Sequence, residues 1–155
     1  MSPVADGEAA RIVEVGAKEV THREAVAECT ISMTPDACRH LVAGTPKGNP
    51  LEAARIAGIM AVKRTPDLLP FCHPIAVTGA EVTVEPDTES GRIQVQATVR
   101  ARDRTGVEME ALTASAVAAL SLYDTAKAFD RAAVIGDLRL VSKRGGKSGD
   151  YRAPS

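Results

Sequence analysis

Residues 104–130 read RTGVEMEALTASAVAALSLYDTAKAFD, with no charged residue between Ala111 and Tyr123. Small residues line several faces of this stretch: Ala111, Thr113, Ala114, Ser115, Ala116, Ala118, Ala119 and Ser121. Thr105-Gly106 opens it, and the pattern predicts one long helix from about Val107 to Phe129. A helix that is apolar all round is buried all round. A sheet of four strands covers only one of its faces. The rest is covered by other loops or, the reading favoured here, by the same helix of another subunit.

Working outward, two alternating segments precede this helix. Ile75–Glu85 carries Val82 and Val84, and Arg92–Ala101 carries Ile93, Val95, Ala97 and Val99. Pro86-Asp87-Thr88-Glu89-Ser90-Gly91 joins them as a hairpin loop. After the helix, Ala133–Ser142 reads as a last strand with Val134, Ile135, Leu138, Leu140 and Val141. Near the start, Ala25, Ala27, Cys29, Ile31 and Met33 alternate with Val26, Glu28, Thr30 and Ser32, the mark of a half-buried strand. Thr34 then caps a short helix with Pro35 at its first position, and Gly44 stops it near Ala43. A second helix starts near Leu51, after the loop Thr45–Asn49, and Thr65-Pro66 is expected to end it. Pro66, Pro70 and Pro74 then fix three φ angles, so PDLLPFCHP is expected to be stiff and non-helical. The order is β, α in two pieces, β, β, α, β. This predicts an α+β fold of the ferredoxin-like βαββαβ order, an antiparallel sheet packed against helices. The 155 residues fit one domain. The reading is a flexible N-terminus over residues 1–12, a single catalytic domain over 13–142 and a Gly-rich basic tail over 143–155.

Composition limits the function. The 26 alanines and 3% aromatics leave few large side chains to fill a core, so elements must pack closely or bury surface against other chains. A net charge of −1 excludes a bulk basic field for nucleic acid, and base stacking has few aromatics to use. No apolar run approaches a membrane span, and MSPVADGEAARI lacks the layout of a signal peptide. Cys29, Cys38 and Cys72 are odd in number without a CxxC, which suits reduced thiols in a cytoplasmic protein.

Several groups suit chemistry. Asp124 and Lys127 are three residues apart on the long helix and can pair, as a surface ion pair or as an acid/base pair. Glu108 and Glu110 sit at its other end. Glu110 and Asp124 fall on nearly the same face, yet are about 21 Å apart along the axis. They cannot serve one small bond from one helix, but antiparallel helices of two subunits would bring unlike ends nearer. Cys72-His73 lies in the proline-braced loop and lacks the partner spacing of a zinc site. The histidine suits a hydrogen bond to ligand, a proton transfer, or a structural bond to backbone. Lys47-Gly48 sits where a lysine can reach an anion. Gly146-Lys147-Ser148 is no phosphate-binding loop of the nucleotide-hydrolysing kind, because Val141 stands where glycine is required and no helix follows. Lys143, Arg144 and Lys147 still give the tail local positive potential.

The blocks VEVGAKEVTHREAVAE (13–28), KGNPLEAARIAGIMAVKRTPDLLPFCHPI (47–75), RTGVEMEALTASAVAALSLYDTAKAFD (104–130) and VIGDLRLVSKRGGKSGDY (134–151) are specific when taken together. In this order they resemble the cyclic pyranopterin monophosphate synthase family, also called molybdenum cofactor biosynthesis protein C. The resemblance implies a lyase that converts a 3′,8-cyclised dihydro-GTP into cyclic pyranopterin monophosphate and releases diphosphate. It implies no metal or redox cofactor, and a homohexamer, a trimer of dimers, with sites at subunit interfaces. By position it implies catalytic roles for Asp124, Lys127 and Lys47. Substrate binding falls to Phe71, Cys72, His73, Met109 and Glu110, joined by Glu108, Lys143 and Lys147. The chain departs from the family pattern at Asn49, usually acidic, at Pro50, usually aliphatic, and at Arg144, usually small.

Overall fold

The computed structural model describes Ala10, residues 12–16 and residues 19–155. The expectation of a flexible terminus over residues 1–12 falls almost wholly outside the described residues. The elements are β1 (Thr21–Ser32), α1 (Pro35–Ala43), α2 (Pro50–Leu68), β2 (Val77–Asp87), β3 (Arg92–Asp103), α3 (Glu108–Ala126), β4 (Val134–Arg144) and β5 (Tyr151–Arg152).

The strands form one antiparallel sheet in the order β2-β3-β1-β4-β5. Without β5, that is the split βαββαβ arrangement expected from the element order. The alternation in β1 holds: Ala25, Ala27, Cys29 and Ile31 are fully buried and face Val99, Ala97, Val95 and Ile93 of β3 in register. Helices α2 and α3 pack on the sheet and against each other. Small residues set the spacing. Ala111, Ala114, Ala118 and Ala119 of α3 are fully buried. At Gly58 of α2 an added Cβ would meet Val82 Cγ2 at 2.9 Å and the Ala114 carbonyl at 3.1 Å. Glycine is therefore what lets α2 sit this close to β2 and α3. Ser115 donates to Cys29 Sγ at 3.2 Å, while the Cys29 thiol donates to the Ser115 carbonyl at 3.3 Å. Those bonds satisfy two polar groups under the helix. Away from the sheet, α3 leaves Met109 and Leu120 exposed.

Three expectations need correction. Pro66 does not end α2, which runs on to Leu68. Proline deprives the Val62 carbonyl of a donor, but Leu69 N–H still reaches the Thr65 carbonyl at 3.1 Å and closes one more turn. The stop falls at Leu69, held extended (φ −117°, ψ 119°) as a residue before proline must be. The long helix ends at Ala126, short of Phe129. Residues 127–129 turn instead: the Ala128 and Phe129 amides bond carbonyls three residues back, and the Asp130 carboxylate accepts from the Thr34 and Ala132 amides. The last strand does not stop at Ser142. Lys143 and Arg144 complete β4, and Tyr151–Arg152 return as β5. Gly145 and Gly146 make the reversal at positive φ, +90° and +89°. A Cβ on the first would strike the His22 carbonyl, and one on the second the Arg23 guanidinium.

Candidate active site

The candidate residues gather at the two ends of α3. At its first turn, the loop after α2 folds over Glu110. The Cys72 thiol donates to Glu110 Oε2 at 3.4 Å. Glu110 is 2% exposed, and its Oε1 has no hydrogen-bond partner among the described residues. Burial pushes its carboxyl pKa up, against the opposing pull of a backbone hydrogen bond and the thiol. Burial and then the Glu110 charge push the Cys72 thiol up to about 12. Cys72 at neutral pH is a hydrogen-bond donor, not a thiolate nucleophile. Phe71, Cys72, His73, Ile75, Glu108 and Met109 line a pocket of about 410 Å³ into which this acid faces. The pocket is mostly apolar, with Glu110 among its lining residues.

The same end holds the glycine-rich hairpin. Arg23 donates to the carbonyls of Asp103 and Arg104, at 3.3 and 3.1 Å, and its guanidinium lies against Gly146. Asp103 accepts from the Ala76 amide at 2.8 Å and so ties the His73 loop to the end of β3. Lys143 donates to Ser148 Oγ at 2.9 Å, and Lys147 is exposed at the tip of the turn. Residues 12–16 border a further hollow with His73 and Arg104.

At the last turn of α3 the surroundings are open. Lys127 Nζ donates to Asp124 Oδ1 at 2.8 Å, and both side chains are more than half exposed. That bond and the Lys127 charge hold the Asp124 carboxyl below the usual carboxylate range, with Lys47 lowering it further. The bond and charge of Asp124 raise Lys127 in turn. At neutral pH the pair is a carboxylate and an ammonium. Lys47 comes from the loop Gly44–Asn49, closed by the reciprocal Thr45–Gly48 bridge with both N···O distances at 3.0 Å. Gly48, at φ +133°, permits that loop. The hollow beside it is about 500 Å³.

Within one chain, then, Lys47, Asp124 and Lys127 form one group. Phe71, Cys72, His73, Glu108, Met109 and Glu110 form another, beside the hairpin that bears Lys143 and Lys147. Glu110 and Asp124 lie on nearly the same face of α3 but in different surroundings: the Cys72 loop covers the first, and the side chain of the second is largely exposed.

A family model described as the MoaC family matches residues 12–146. The chain belongs to the MoaC family. It is 56% identical over 147 residues to a cyclic pyranopterin monophosphate synthase of Parvibaculum lavamentivorans, covering 94% of this chain and 91% of that protein. A protein of the same name from Pelotomaculum thermopropionicum is 55% identical over 143 residues, covering 92% of this chain and 84% of that protein. One from Chloroflexus aurantiacus is 49% identical over 146 residues, covering 94% and 90%.

The departures of this MoaC-family chain have local reasons. Asn49 Oδ1 accepts from the Leu51 and Glu52 amides at 2.9 and 3.3 Å, and Pro50 takes the first helical position, so the two together start α2. Arg144 pairs with Glu24 at 2.7 Å, and Glu24 also takes Arg100 at 3.1 Å. Sequence reasoning missed Arg23. Its position emerges only from the β1–β3 register, which sets it opposite Ala101 beside the loop that opens α3.

Proposed function

We propose that this MoaC-family chain is a cyclic pyranopterin monophosphate synthase. It converts (8S)-3′,8-cyclo-7,8-dihydroguanosine 5′-triphosphate into cyclic pyranopterin monophosphate and releases diphosphate, a phosphorus–oxygen lyase reaction. The observation that carries the reading is the division of labour on α3. One end supplies an apolar pocket with a buried acid, and the other supplies a paired carboxylate and ammonium beside a second lysine.

The ring chemistry needs staged proton transfers, and the ionised Asp124 is the base best placed for them. Release of diphosphate follows attack of a substrate hydroxyl on the α-phosphorus. The P–O bond to the β-phosphate breaks, its electron pair leaves with diphosphate, and the hydroxyl proton passes to a base. Lys47 and Lys127 supply positive charge for the leaving group, with Lys143 and Lys147 of the hairpin as further cations. Phe71, Cys72, His73, Glu108, Met109 and Glu110 bind the heterocycle.

The two groups lie about 21 Å apart on one helix, so a complete site needs both ends from different chains. This supports a homo-oligomer with sites at subunit interfaces, read here as a hexamer built as a trimer of dimers. No helix among the described residues is long and apolar enough to cross a membrane, which is compatible with the cytoplasmic location proposed.

Incubation with the cyclised triphosphate, following pterin and diphosphate together, tests the activity. Equal amounts of both products are expected. Binding without conversion would leave only a ligand-binding module.

A further inference from the structure

A contact outside both groups links the segments that carry the open one. His40, on the last turn of α1, stacks on Phe129, two residues beyond Lys127. Their ring centroids are 4.1 Å apart and the planes 6° from parallel. His40 also supplies the carbonyl that accepts from Gly44 N–H at 3.2 Å, the bond that ends α1 and starts the Lys47 loop. On the other side, Phe129 N–H is bound to the Ala126 carbonyl at 2.8 Å, directly behind the Asp124–Lys127 turn. The Asp130 carboxylate reinforces the joint by accepting from the Thr34 amide at the start of α1. Both rings are about half exposed, so little of the core depends on them. Asp36 Oδ2 lies 3.7 Å from His40 Nε2.

We propose that the His40–Phe129 stack is a positioning clamp that holds the Lys47 loop against the Asp124–Lys127 end of α3. The stack touches none of the three candidate catalytic side chains. It acts through the backbone of their two segments, α1 into the loop and α3 into the turn. A lysine on a six-residue loop otherwise has freedom to swing, and displacement of a catalytic group by about 1 Å can cost as much as 100-fold in rate.

This inference rests on the synthase reading for its kinetic arm but not for its structural arm. The variants are His40→Ala, Phe129→Ala and the stack-preserving His40→Phe. The two alanine variants are expected to lower kcat about ten-fold with KM nearly unchanged, and His40→Phe to restore most of it. In a Lys47→Ala background, Phe129→Ala should add a clearly smaller loss than in the wild type, because part of the clamp's effect runs through Lys47. Hydrogen exchange of the Thr45 and Gly48 amides is expected to quicken in both alanine variants, with β1 and β3 amides unchanged. Wild-type kcat in both alanine variants, or an undiminished further loss in the Lys47→Ala background, would overturn the clamp. Should the wild-type protein prove inactive on the cyclised triphosphate, the synthase reading falls and exchange alone decides. Unaltered exchange at Thr45 and Gly48 then rejects the clamp.

Discussion

At its first turn α3 buries Glu110 under a loop braced by Pro70 and Pro74, and at its last turn it offers Asp124 to solvent with the side chain 76% exposed. Burial raises the first carboxyl's pKa, and a 2.8 Å ammonium contact lowers the second's. The same residue class on one helix is therefore pushed toward the neutral acid at one end and the carboxylate at the other. Covering decides the outcome. On the proposed function, the first end recognises the substrate and the second acts on it.

The largest expected effect lies at the open end. Asp124→Asn and Lys127→Ala should each cut turnover by about 10²-fold or more in steady-state assays. Both side chains are exposed, so the thermal midpoint and the assembly size should stay at wild-type values. A variant that keeps its rate removes that residue from the chemistry and breaks the contrast.

Much of this was legible because it follows from local periodicity. Ala25 to Ile31 and Ile93 to Val99 alternate as half-buried strands do, and the element order then implies the sheet order. The Asp124–Lys127 pair follows from three-residue spacing alone. What was illegible depends on tertiary register. Arg23 reaches the carbonyls before α3 only because β1 pairs with β3, and Cys72 meets Glu110 only because the loop folds back. Pro66 misled because a helix tolerates one missing donor when the next bond survives. The two-residue β5 carries no pattern of its own, and its pairing depends on the reversal at Gly145-Gly146.

Two substitutions at the covered end give smaller effects, read in stability. Gly145→Ala places a Cβ against the His22 carbonyl at positive φ, and should cost about 1–3 kcal/mol in urea unfolding. Wild-type stability would show that the hairpin can shift without loss. Glu110→Gln tests the raised carboxyl pKa. A folded pKa above the unfolded one gives stability that is whole below the unfolded value and is lost as pH rises through the folded value. The thermal midpoint of Glu110→Gln should therefore gain on wild type as pH rises above the usual carboxylate range. A constant difference would refute the buried acid.

The smallest effect sharpens the contrast at the sheet margin. Bonds from Arg144 and Arg100 lower the Glu24 carboxyl pKa. Its contribution is present above the unfolded value and lost as pH falls through the lowered one. Solvent screens the pairs, so Glu24→Gln should cost about 0.5 kcal/mol in urea unfolding at neutral pH. The cost should fade in about 1 M salt, and one that persists there would mean packing, not charge.

The central claim is that the two ends of α3 belong to one site completed between chains. Mixing decides it most directly. Lys127→Ala and His73→Ala are each expected to be inactive alone. Unfolded together in equal amounts and refolded, they should recover about a quarter of wild-type activity, because a random quarter of interfaces joins an intact open end to an intact covered end. Activity no higher than that of either variant alone, from mixed assemblies of proven composition, would contradict the account.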